Sequence, residues 1–397
     1  MYQNLAVLSA LLVLYAAFAG SLEAKPVNGP LLFLLAGVAA GPAGLGLLNL
    51  AMDRHDLRQL AELTLAIVLF TDAANADLAQ LRLHRNLPLR LLLIGLPLTL
   101  IAGWLVARWL FPAMPWLEMV LLSTLLAPTD AALGKAVVSN PAVPADIRES
   151  LNVESGLNDG ICVPLMLLLM ALVAEKHTAL PFTLAGHLFL EELGIGLLTG
   201  VGLALVSGGV LRWARRDIAP IASWQQLVMP GLALLSFACA QALGGSGFIA
   251  AFCAGLLTGC LFRRETHALL QAGESLGEAL SLITWVVFGA YVAPKATQIL
   301  SPSVWLYALL SLSLVRMLPV WVSLAGSALA TQSRLFIGWF GPRGLASIVF
   351  AVLVLDVPLQ ERDTLISATI ACVVLSVILH GVSAWAWVGR LSRRAEP

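Results

Sequence analysis

The chain has 397 residues, of which 59% are hydrophobic and only 12% are charged, and its formal net charge at pH 7 is zero. Soluble domains carry about 25% charged residues, so this composition excludes a water-soluble fold and favours an all-α polytopic membrane protein. The zero net charge gives no argument for nucleic-acid binding. The apolar runs are about 20 residues long, which is the length of a membrane-spanning helix and twice that of a barrel strand.

Apolar windows, Gly and Pro breaks and charge clusters together predict about thirteen spans. The first run is not preceded by a basic residue, since Lys25 follows it, so we expect a retained helix and no signal peptide. Only GGSG separates the eighth and ninth runs, which predicts a tight hairpin there. The spans lie near residues 4–21, 30–48, 57–76, 86–110, 115–138, 146–173, 187–211, 224–243, 246–261, 274–293, 302–328, 335–355 and 365–389.

Lys and Arg are unevenly distributed between the two sides of the predicted membrane. With the N-terminus outside, fifteen of them fall in cytoplasmic loops and the tail, and five fall in outer loops. Because cytoplasmic loops carry the excess of positive residues, we expect the cell inner membrane, an outer N-terminus and a cytoplasmic C-terminus. We expect a single membrane domain over residues 1–397 and no cytosolic regulatory domain.

Spans five and twelve are each interrupted by a polar, helix-breaking tetrad. These are APTD, from Ala127 to Asp130, and GPRG, from Gly341 to Gly344. The two spans are seven apart, so they cross the bilayer in opposite directions, which indicates an inverted repeat of spans 1–6 and 8–13. In transporters of this kind the broken helices bracket the substrate site near the midplane.

Span six carries two acids inside a hydrocarbon helix, in the segment ESGLNDG. Glu154 and Asn158 are four residues apart, as are Ser155 and Asp159, so each pair lies on one helix face. Arg316 is the best-placed intramembrane cation, and we expect it to pair with Glu154 in a structural role. Too few cations lie in the spans for every acid to have one. An unpaired carboxylate in a low-dielectric medium binds a proton readily and can exchange it for a metal cation.

The first break supplies oxygen ligands. Pro128 and the polar residues after it open the helix, which frees carbonyls near Thr129 and places the carboxylate of Asp130 beside them. Together with Asp159 and Ser155 they predict a shell of hard oxygen ligands for an alkali cation such as Na⁺, and not for a soft transition metal. Asp130 is also a candidate cap for the second half-helix.

Three other polar residues lie in or near the spans. Arg343, in the second break, is expected either to neutralise the C-terminal dipole of a half-helix or to pair with Asp130. Asp72, near the cytoplasmic end of span three, is a candidate for lining an entrance or for assisting the ion shell through water. His380, in the last span, either tunes a pH response or is a satisfied buried imidazole.

The combination of APTD, ESGLNDG, SLVRMLP and GWFGPRGLAS resembles the monovalent cation/proton antiporter family, in its NhaP-like sodium/proton exchanger branch. The four motifs occur in order, and the resemblance extends from LLFLLAGVAAGP to SVILHG. It implies thirteen helices with crossed broken helices five and twelve, and a homodimer without cofactors. The implied core bundle covers about 86–173 and 302–390, and the dimer-forming scaffold covers about 4–76 and 187–293.

The same resemblance implies a role for each polar residue. Asp159 becomes the exchanging aspartate, and the preceding Asn158 implies exchange of one cation for one proton, which is electroneutral. Na⁺, Li⁺ or K⁺ would compete with H⁺ at Asp159 during alternating access. Asp72 replaces an acid that is often Glu in the family. The implied ion ligands are Thr129, Asp130 and Ser155, and the implied structural supports are Asn158, Glu154, Arg316 and Arg343.

Other functions stay open at this stage. A sodium-coupled organic-anion symporter of the same fold would need an unpaired cation, for which Arg343 is the candidate. An intramembrane serine protease would use Ser246 in GGSG as its nucleophile, although the acidic motifs would then be unexplained. A sensor without transport activity is the third alternative.

Overall fold

The computed structural model of the chain describes residues 2–23, 28–48, 54–76, 86–130, 133, 143–178, 182–217, 222–262, 266–292, 301–327 and 329–395. Within these ranges every regular element is helical, and fourteen helices are longer than a single turn. They are α1 (Tyr2–Glu23), α2 (Gly29–Ala40), α3 (Arg54–Asn75), α4 (Asn86–Leu110), α5 (Trp116–Leu125), α6 (Ala145–Thr178), α7 (Phe182–Asp217), α8 (Val228–Ala242), α9 (Gly247–Leu261), α10 (Thr266–Val292), α11 (Pro302–Ser323), α12 (Thr331–Trp339), α13 (Leu345–Val354) and α14 (Arg362–Ala395).

Six of these helices contain segments long and apolar enough to cross a membrane, namely α1, α4, α6, α7, α11 and α14. Five shorter helices, α2, α5, α8, α9 and α13, are also apolar. The predicted class of all-α, multi-pass membrane protein is therefore confirmed, whereas the number of thirteen spans stays a prediction.

The second predicted span is shorter as a helix than the hydropathy suggests. α2 ends at Ala40, and residues 41–48 form turns although they are apolar. Gly41 leaves the helical conformation with a ψ of -177°, and Gly46 adopts a φ of 64°, a region that favours glycine. Pro42 lies between them and cannot continue a helical hydrogen-bond ladder, so the backbone chemistry overrides the hydropathy.

The helices pack in two groups. α2, α3 and α7 to α10 contact one another, and α4, α5, α6, α11, α12 and α14 make a second set of contacts. α13 lies against α5, α6 and α14 of the second group and against α3 and α10 of the first. α13 and α6 are therefore both helices through which the two groups meet, since α6 also contacts α3, α7 and α9.

An apolar cavity of about 40 Å³ marks this boundary between α3, α10, α13 and α14. Thr284 and Tyr291 are the polar members of its lining, which also includes Leu57 and Leu355. The next residues along the chain, Arg58 and Asp356, form an ion pair with 2.6 Å between Nη1 and Oδ2. Both side chains are close to half exposed, so this pair adds only modest stability.

Glycines bring several of these helices into backbone contact. Gly255 and Gly259 of α9 face the backbone carbonyls of Phe70 and Ala74 on α3. A Cβ atom at either glycine would overlap the carbonyl oxygen opposite it. Small residues at such positions allow membrane helices to approach closely, so α3 and α9 are held together by backbone packing.

We predict that Gly255→Ala lowers the thermal unfolding midpoint in detergent micelles. The added methyl group forces α3 and α9 apart, which costs about 1–3 kcal/mol. Gly231→Ala is the matched control, because Gly231 lies within α8 and a Cβ there meets nothing within 4 Å. The control is expected to melt at or slightly above the wild-type temperature. A Gly255→Ala protein that melts with the control would contradict this packing account.

Candidate functional site

Two non-helical segments meet at the centre of the second helix group. Leu126 to Asp130 follow α5, and Phe340 to Gly344 separate α12 from α13. The backbone N–H of Asp130 donates to the carbonyl of Pro342 at 2.8 Å, so the segments are bonded directly to each other. Residues 131–132 and 134–142, which belong to the second half of predicted span five, lie outside the described residues.

The carboxylate of Asp130 caps the helix that follows the second break. Its Oδ2 accepts a hydrogen bond from the backbone N–H of Leu345, the first residue of α13, at 2.8 Å, and its Oδ1 accepts one from Leu133 at 3.3 Å. A negative charge is stabilising at a helix N-terminus, where backbone N–H groups have no partner in the helix. A Cβ at Gly344 would overlap this carboxylate, so the close approach requires glycine there.

Arg343 belongs to the second break, and its guanidinium performs the reciprocal role at the first break. Its Nη1 donates to the carbonyl of Ala127, and also to that of Pro128 at 3.1 Å. These carbonyls follow the C-terminal end of α5, where a positive charge is stabilising. Arg343 is fully buried. Of the two roles expected for it, neutralising the end of a half-helix is the one that these hydrogen bonds support.

α6 is attached to the first break by two side chains. Ser155 Oγ donates to the carbonyl of Thr129 at 2.5 Å, and Asn158 Nδ2 donates to Thr129 Oγ1 at 2.7 Å. Both bonds fix the segment that carries Asp130. Asn158 therefore has the supporting position expected for it, and Ser155 lies beside a carbonyl that was expected to face a cation.

Glu154 and Arg316 form the buried ion pair expected from the sequence. Nη1 and Nη2 of Arg316 donate to the two carboxylate oxygens at 2.5 and 2.8 Å, in a bidentate arrangement. Each residue is only 3% exposed. A Cβ at Gly341 would lie 2.9 Å from the guanidinium carbon, so the second break also packs against this pair.

Asp159 is different from the other acids of the site. It is 6% exposed, and its Oδ1 atom is buried without a hydrogen-bond partner among the described residues. Asp72 and Asp130 are near enough for their charges to act on it. Asp72 is only partly buried, and its backbone carbonyl lies 3.5 Å from a Cβ built at Gly156, where α3 meets α6. The structure thus places Asp72, Asp130 and Asp159 in one neighbourhood.

Two buried polar side chains have partners that the sequence does not indicate. Glu118 of α5 accepts hydrogen bonds from the backbone N–H groups of Gln360 and Glu361, just before α14, at 2.9 and 3.0 Å. His380 of α14 has Nε2 at 2.9 Å from the carbonyl of Trp339, the last residue of α12. An acid within a predicted span was the only available signal for Glu118.

Ser246 caps α9. Its hydroxyl accepts a hydrogen bond from the backbone N–H of Ile249 at 3.4 Å, at the turn where Gly244 has a φ of 79°. This capping role accounts for the serine of GGSG. No group of three or more His, Cys, Asp and Glu side chains that could hold a metal ion occurs in the part of the chain that the structure describes.

The profile of the family described as sodium/hydrogen exchanger, transmembrane, matches residues 7–388. The chain belongs to this family. The resemblance to NhaP-like cation/proton antiporters that its motifs carry is thereby confirmed. The match extends over both breaks, α6 and α14, so every residue placed in the site above lies within the family domain.

Relatives of this exchanger-family chain carry antiporter names. The K(+)/H(+) antiporter NhaP2 of Shewanella baltica is 28% identical over 358 residues, which cover 89% of this chain and 60% of the relative. The K(+)/H(+) antiporter NhaP of Alkalimonas amylolytica is 24% identical over 386 residues, which cover 96% and 66%. The chain thus spans about 60% of the length of the NhaP2 relative.

Solved structures show the same fold. The sodium proton antiporter MjNhaP1 from Methanocaldococcus jannaschii, in its structure at pH 8, has a TM-score of 0.77 and 21% identity, covering 95% of this chain and 98% of that one. Its electron-microscopy structure has a TM-score of 0.76 and 20% identity, covering 100% and 98%. At this identity the likeness establishes the fold of the exchanger-family chain.

We predict that Glu154→Gln strongly destabilises the protein. The substitution leaves the buried Arg316 without an opposite charge, which costs about 3–5 kcal/mol. The double variant Glu154→Leu with Arg316→Met is expected to recover most of this loss, because no buried charge remains. Thermal unfolding in detergent micelles measures both.

The matched control is Arg58→Gln, which removes a half-exposed cation that pairs with Glu62 and Asp356 and is expected to cost less than about 1 kcal/mol. If Glu154→Gln melts at the temperature of Arg58→Gln, the buried pair does not support the site.

Proposed function

We propose that this protein is a secondary antiporter that exchanges a monovalent cation, Na⁺ or in its place Li⁺ or K⁺, for H⁺ across the membrane. The observation that carries the proposal is the carboxylate of Asp159, which is buried beside the two linked breaks and whose Oδ1 has no partner among the described residues. A carboxylate held in this way binds one cation or one proton, and each neutralises it.

Competition at Asp159 provides the coupling. In both loaded states the bound proton or cation neutralises the charge of Asp159. The helices that form the site can then move past the apolar surface of the scaffold. The unloaded carboxylate makes this movement costly, because a bare charge is expensive in a low-dielectric medium. Exchange then requires only that the unloaded site does not cross. The KM for the cation rises as the pH falls, since protons occupy the same oxygen atoms.

The cation shell would be completed by neighbouring oxygen atoms. Ser155 donates its proton to the Thr129 carbonyl, which leaves the lone pairs of its hydroxyl oxygen for a cation. Asp130 contributes its charge while it caps α13, and Asp72 contributes a second negative charge from α3. We assign Thr129, Ser155, Asp130 and Asp159 to the ion shell and Asp72 to its cytoplasmic approach.

The names of relatives do not agree on the cation. The two bacterial relatives described above are called K⁺/H⁺ antiporters, and the structural neighbours are called sodium proton antiporters. Hard oxygen ligands accept any alkali cation, and selectivity among them depends on ligand spacing. The proposal is therefore alkali cation/proton exchange, and the assay below determines the preferred ion.

The organic-anion symporter and the serine protease fit the site less well. An organic-anion symporter needs a cation that can face its substrate, yet Arg316 is held by Glu154, and Arg343 is fully buried with its Nη1 bound to the carbonyls of Ala127 and Pro128. A serine protease would use Ser246, which instead caps α9. Neither alternative explains the unpartnered Oδ1 of Asp159.

The architecture proposed with this function has thirteen spans, in which α5 and the α12–α13 pair form the crossed broken helices of an inverted repeat. The core bundle covers about 86–173 and 302–390, and the scaffold covers about 4–76 and 187–293. We further propose a homodimer in the cell inner membrane, with the N-terminus outside. The two groups of helix contacts support this division.

We predict that Asp159→Asn abolishes exchange, because an amide can neither release a proton nor attract a cation by charge. Purified protein in liposomes is assayed by dequenching of a pH-sensitive dye after addition of Na⁺, Li⁺ or K⁺ between pH 6 and 9. Asp363→Asn, at an exposed position in the first turn of α14, is the matched control and is expected to keep the wild-type rate. Normal exchange by Asp159→Asn would refute the assignment.

We also predict that exchange is electroneutral. One carboxylate binds either one cation or one proton, so no net charge crosses in a cycle. A potassium diffusion potential of 100 mV should leave the final Na⁺ distribution unchanged. A stoichiometry that moves one net charge would shift this distribution by about 50-fold, since a charge in that field gains about 2.3 kcal/mol. A shift of that size would rule out one-to-one exchange.

A further inference from the structure

We propose that Ser376 and His380 of α14 are positioning residues that hold the second break in the shape that presents Arg343 to the first. We call these two side chains the α14 clasp. The inference deepens the proposed function, because it assigns to a helix outside the ion shell control over the geometry of that shell. It is carried by hydrogen bonds between buried residues on two elements.

The clasp connects the carbonyl of Trp339, at the end of α12, with the backbone N–H of Arg343, inside the second break. The backbone N–H of Arg343 donates to Ser376 Oγ at 2.7 Å. Ser376 Oγ lies 3.2 Å from His380 Nδ1, and His380 Nε2 lies 2.9 Å from the carbonyl of Trp339. The chain of bonds therefore runs from the end of α12 through α14 to the residue that contacts the first break.

Both ring nitrogens of His380 lie near backbone carbonyls, since Nδ1 is 2.9 Å from that of Ser376 and Nε2 is 2.9 Å from that of Trp339. Ser376 Oγ accepts from the Arg343 N–H. A ring that carries its proton on Nε2 donates to the Trp339 carbonyl, and its Nδ1 then accepts from the Ser376 hydroxyl. That carbonyl is one of the helix-end groups that lack a partner within α12. The charged side chains that act electrostatically on the ring are Arg343 and Arg316. The clasp thus requires a side chain at position 380 that donates to the Trp339 carbonyl and also contacts Ser376.

The effect on the ion site follows from what Arg343 touches. Its guanidinium contacts the carbonyls of Ala127 and Pro128, which directly precede Thr129 and Asp130. Asp130 in turn bonds to the second break at Pro342 and Leu345. If the backbone of Arg343 shifts, the ligand oxygens of the first break shift with it. The clasp should therefore set cation affinity more than the rate of the conformational step.

The test compares His380→Leu, His380→Gln, Ser376→Ala and the double variant Ser376→Ala/His380→Leu in proteoliposomes. For His380→Leu we expect the KM for the preferred cation to rise about tenfold, with kcat changed less than threefold. His380→Gln should restore the KM, because its amide supplies an acceptor and a donor, and it should keep the wild-type pH profile. Ser376→Ala should raise the KM, and the double variant should be no worse than His380→Leu, since both remove the same chain of bonds.

Thr369→Val is the matched control, because Thr369 is also buried on α14 but bonds within the helix, to the carbonyl of Leu365. Its KM should stay at the wild-type value. Stabilisation of the detergent-purified variants by added Li⁺ or Na⁺ in thermal unfolding gives a second readout that does not depend on transport.

Several results would overturn the clasp. A His380→Leu protein with wild-type KM and wild-type cation stabilisation would show that the histidine only fills space. A flattened pH profile in His380→Gln would show that the ring titrates in the cycle. If only the clasp is wrong, the wild-type protein still exchanges ions and Asp159→Asn still does not. If the proposed function is wrong, the wild-type protein itself shows no exchange.

Discussion

Each break leaves helix-end groups that a membrane interior cannot solvate, and the two breaks solve this problem for each other. The carboxylate of Asp130 lies at the beginning of α13, and the guanidinium of Arg343 lies at the end of α5. A backbone hydrogen bond between Asp130 and Pro342 joins the same segments. Unsatisfied backbone groups cost several kcal/mol in hydrocarbon, so neither break is stable without the other. The proposed ion ligands of the first break depend on this reciprocal arrangement.

Among the described residues, the buried acids Glu118 and Glu154 have both carboxylate oxygens bonded, whereas Asp159 has one oxygen without a protein partner. Glu154 and Arg316 neutralise each other, while Asp130 and Arg343 are held by backbone groups. Asp159 keeps an oxygen atom without a protein partner among the described residues. The fixed interactions hold the helices around Asp159 in place, so that in the proposed cycle a proton and a cation can replace each other while the fold stays unchanged.

The sequence was informative wherever chemistry is rare in a hydrocarbon setting. Few intramembrane cations are available, which identified Arg316 as the candidate partner of Glu154. Helical spacing paired Ser155 with Asp159 and Glu154 with Asn158, whereas the bonds of Ser155 and Asn158 to Thr129 were found only in the structure. Pro128 and Gly341 marked the breaks. The partners of Glu118 and His380 could not be predicted, because both bind backbone groups, which carry no sequence signal, and for Arg343 the sequence left two roles open. The early end of α2 was missed because hydropathy ignores the backbone preferences of glycine and proline.

The glycine contacts between α3 and α9 have a mechanical consequence. Backbones in direct contact cannot slide past one another without separating, so α3 and α9 are expected to move as one rigid unit. The boundary with α13 is of the opposite kind, since its cavity lining is almost entirely hydrocarbon and the ion pair between Arg58 and Asp356 crosses it at the surface. Sliding along such a surface trades one apolar contact for another at little enthalpic cost. In the proposed cycle, the face of α13 would therefore resist sliding least. The ion pair between Arg58 and Asp356 would have to break before the helices could slide there.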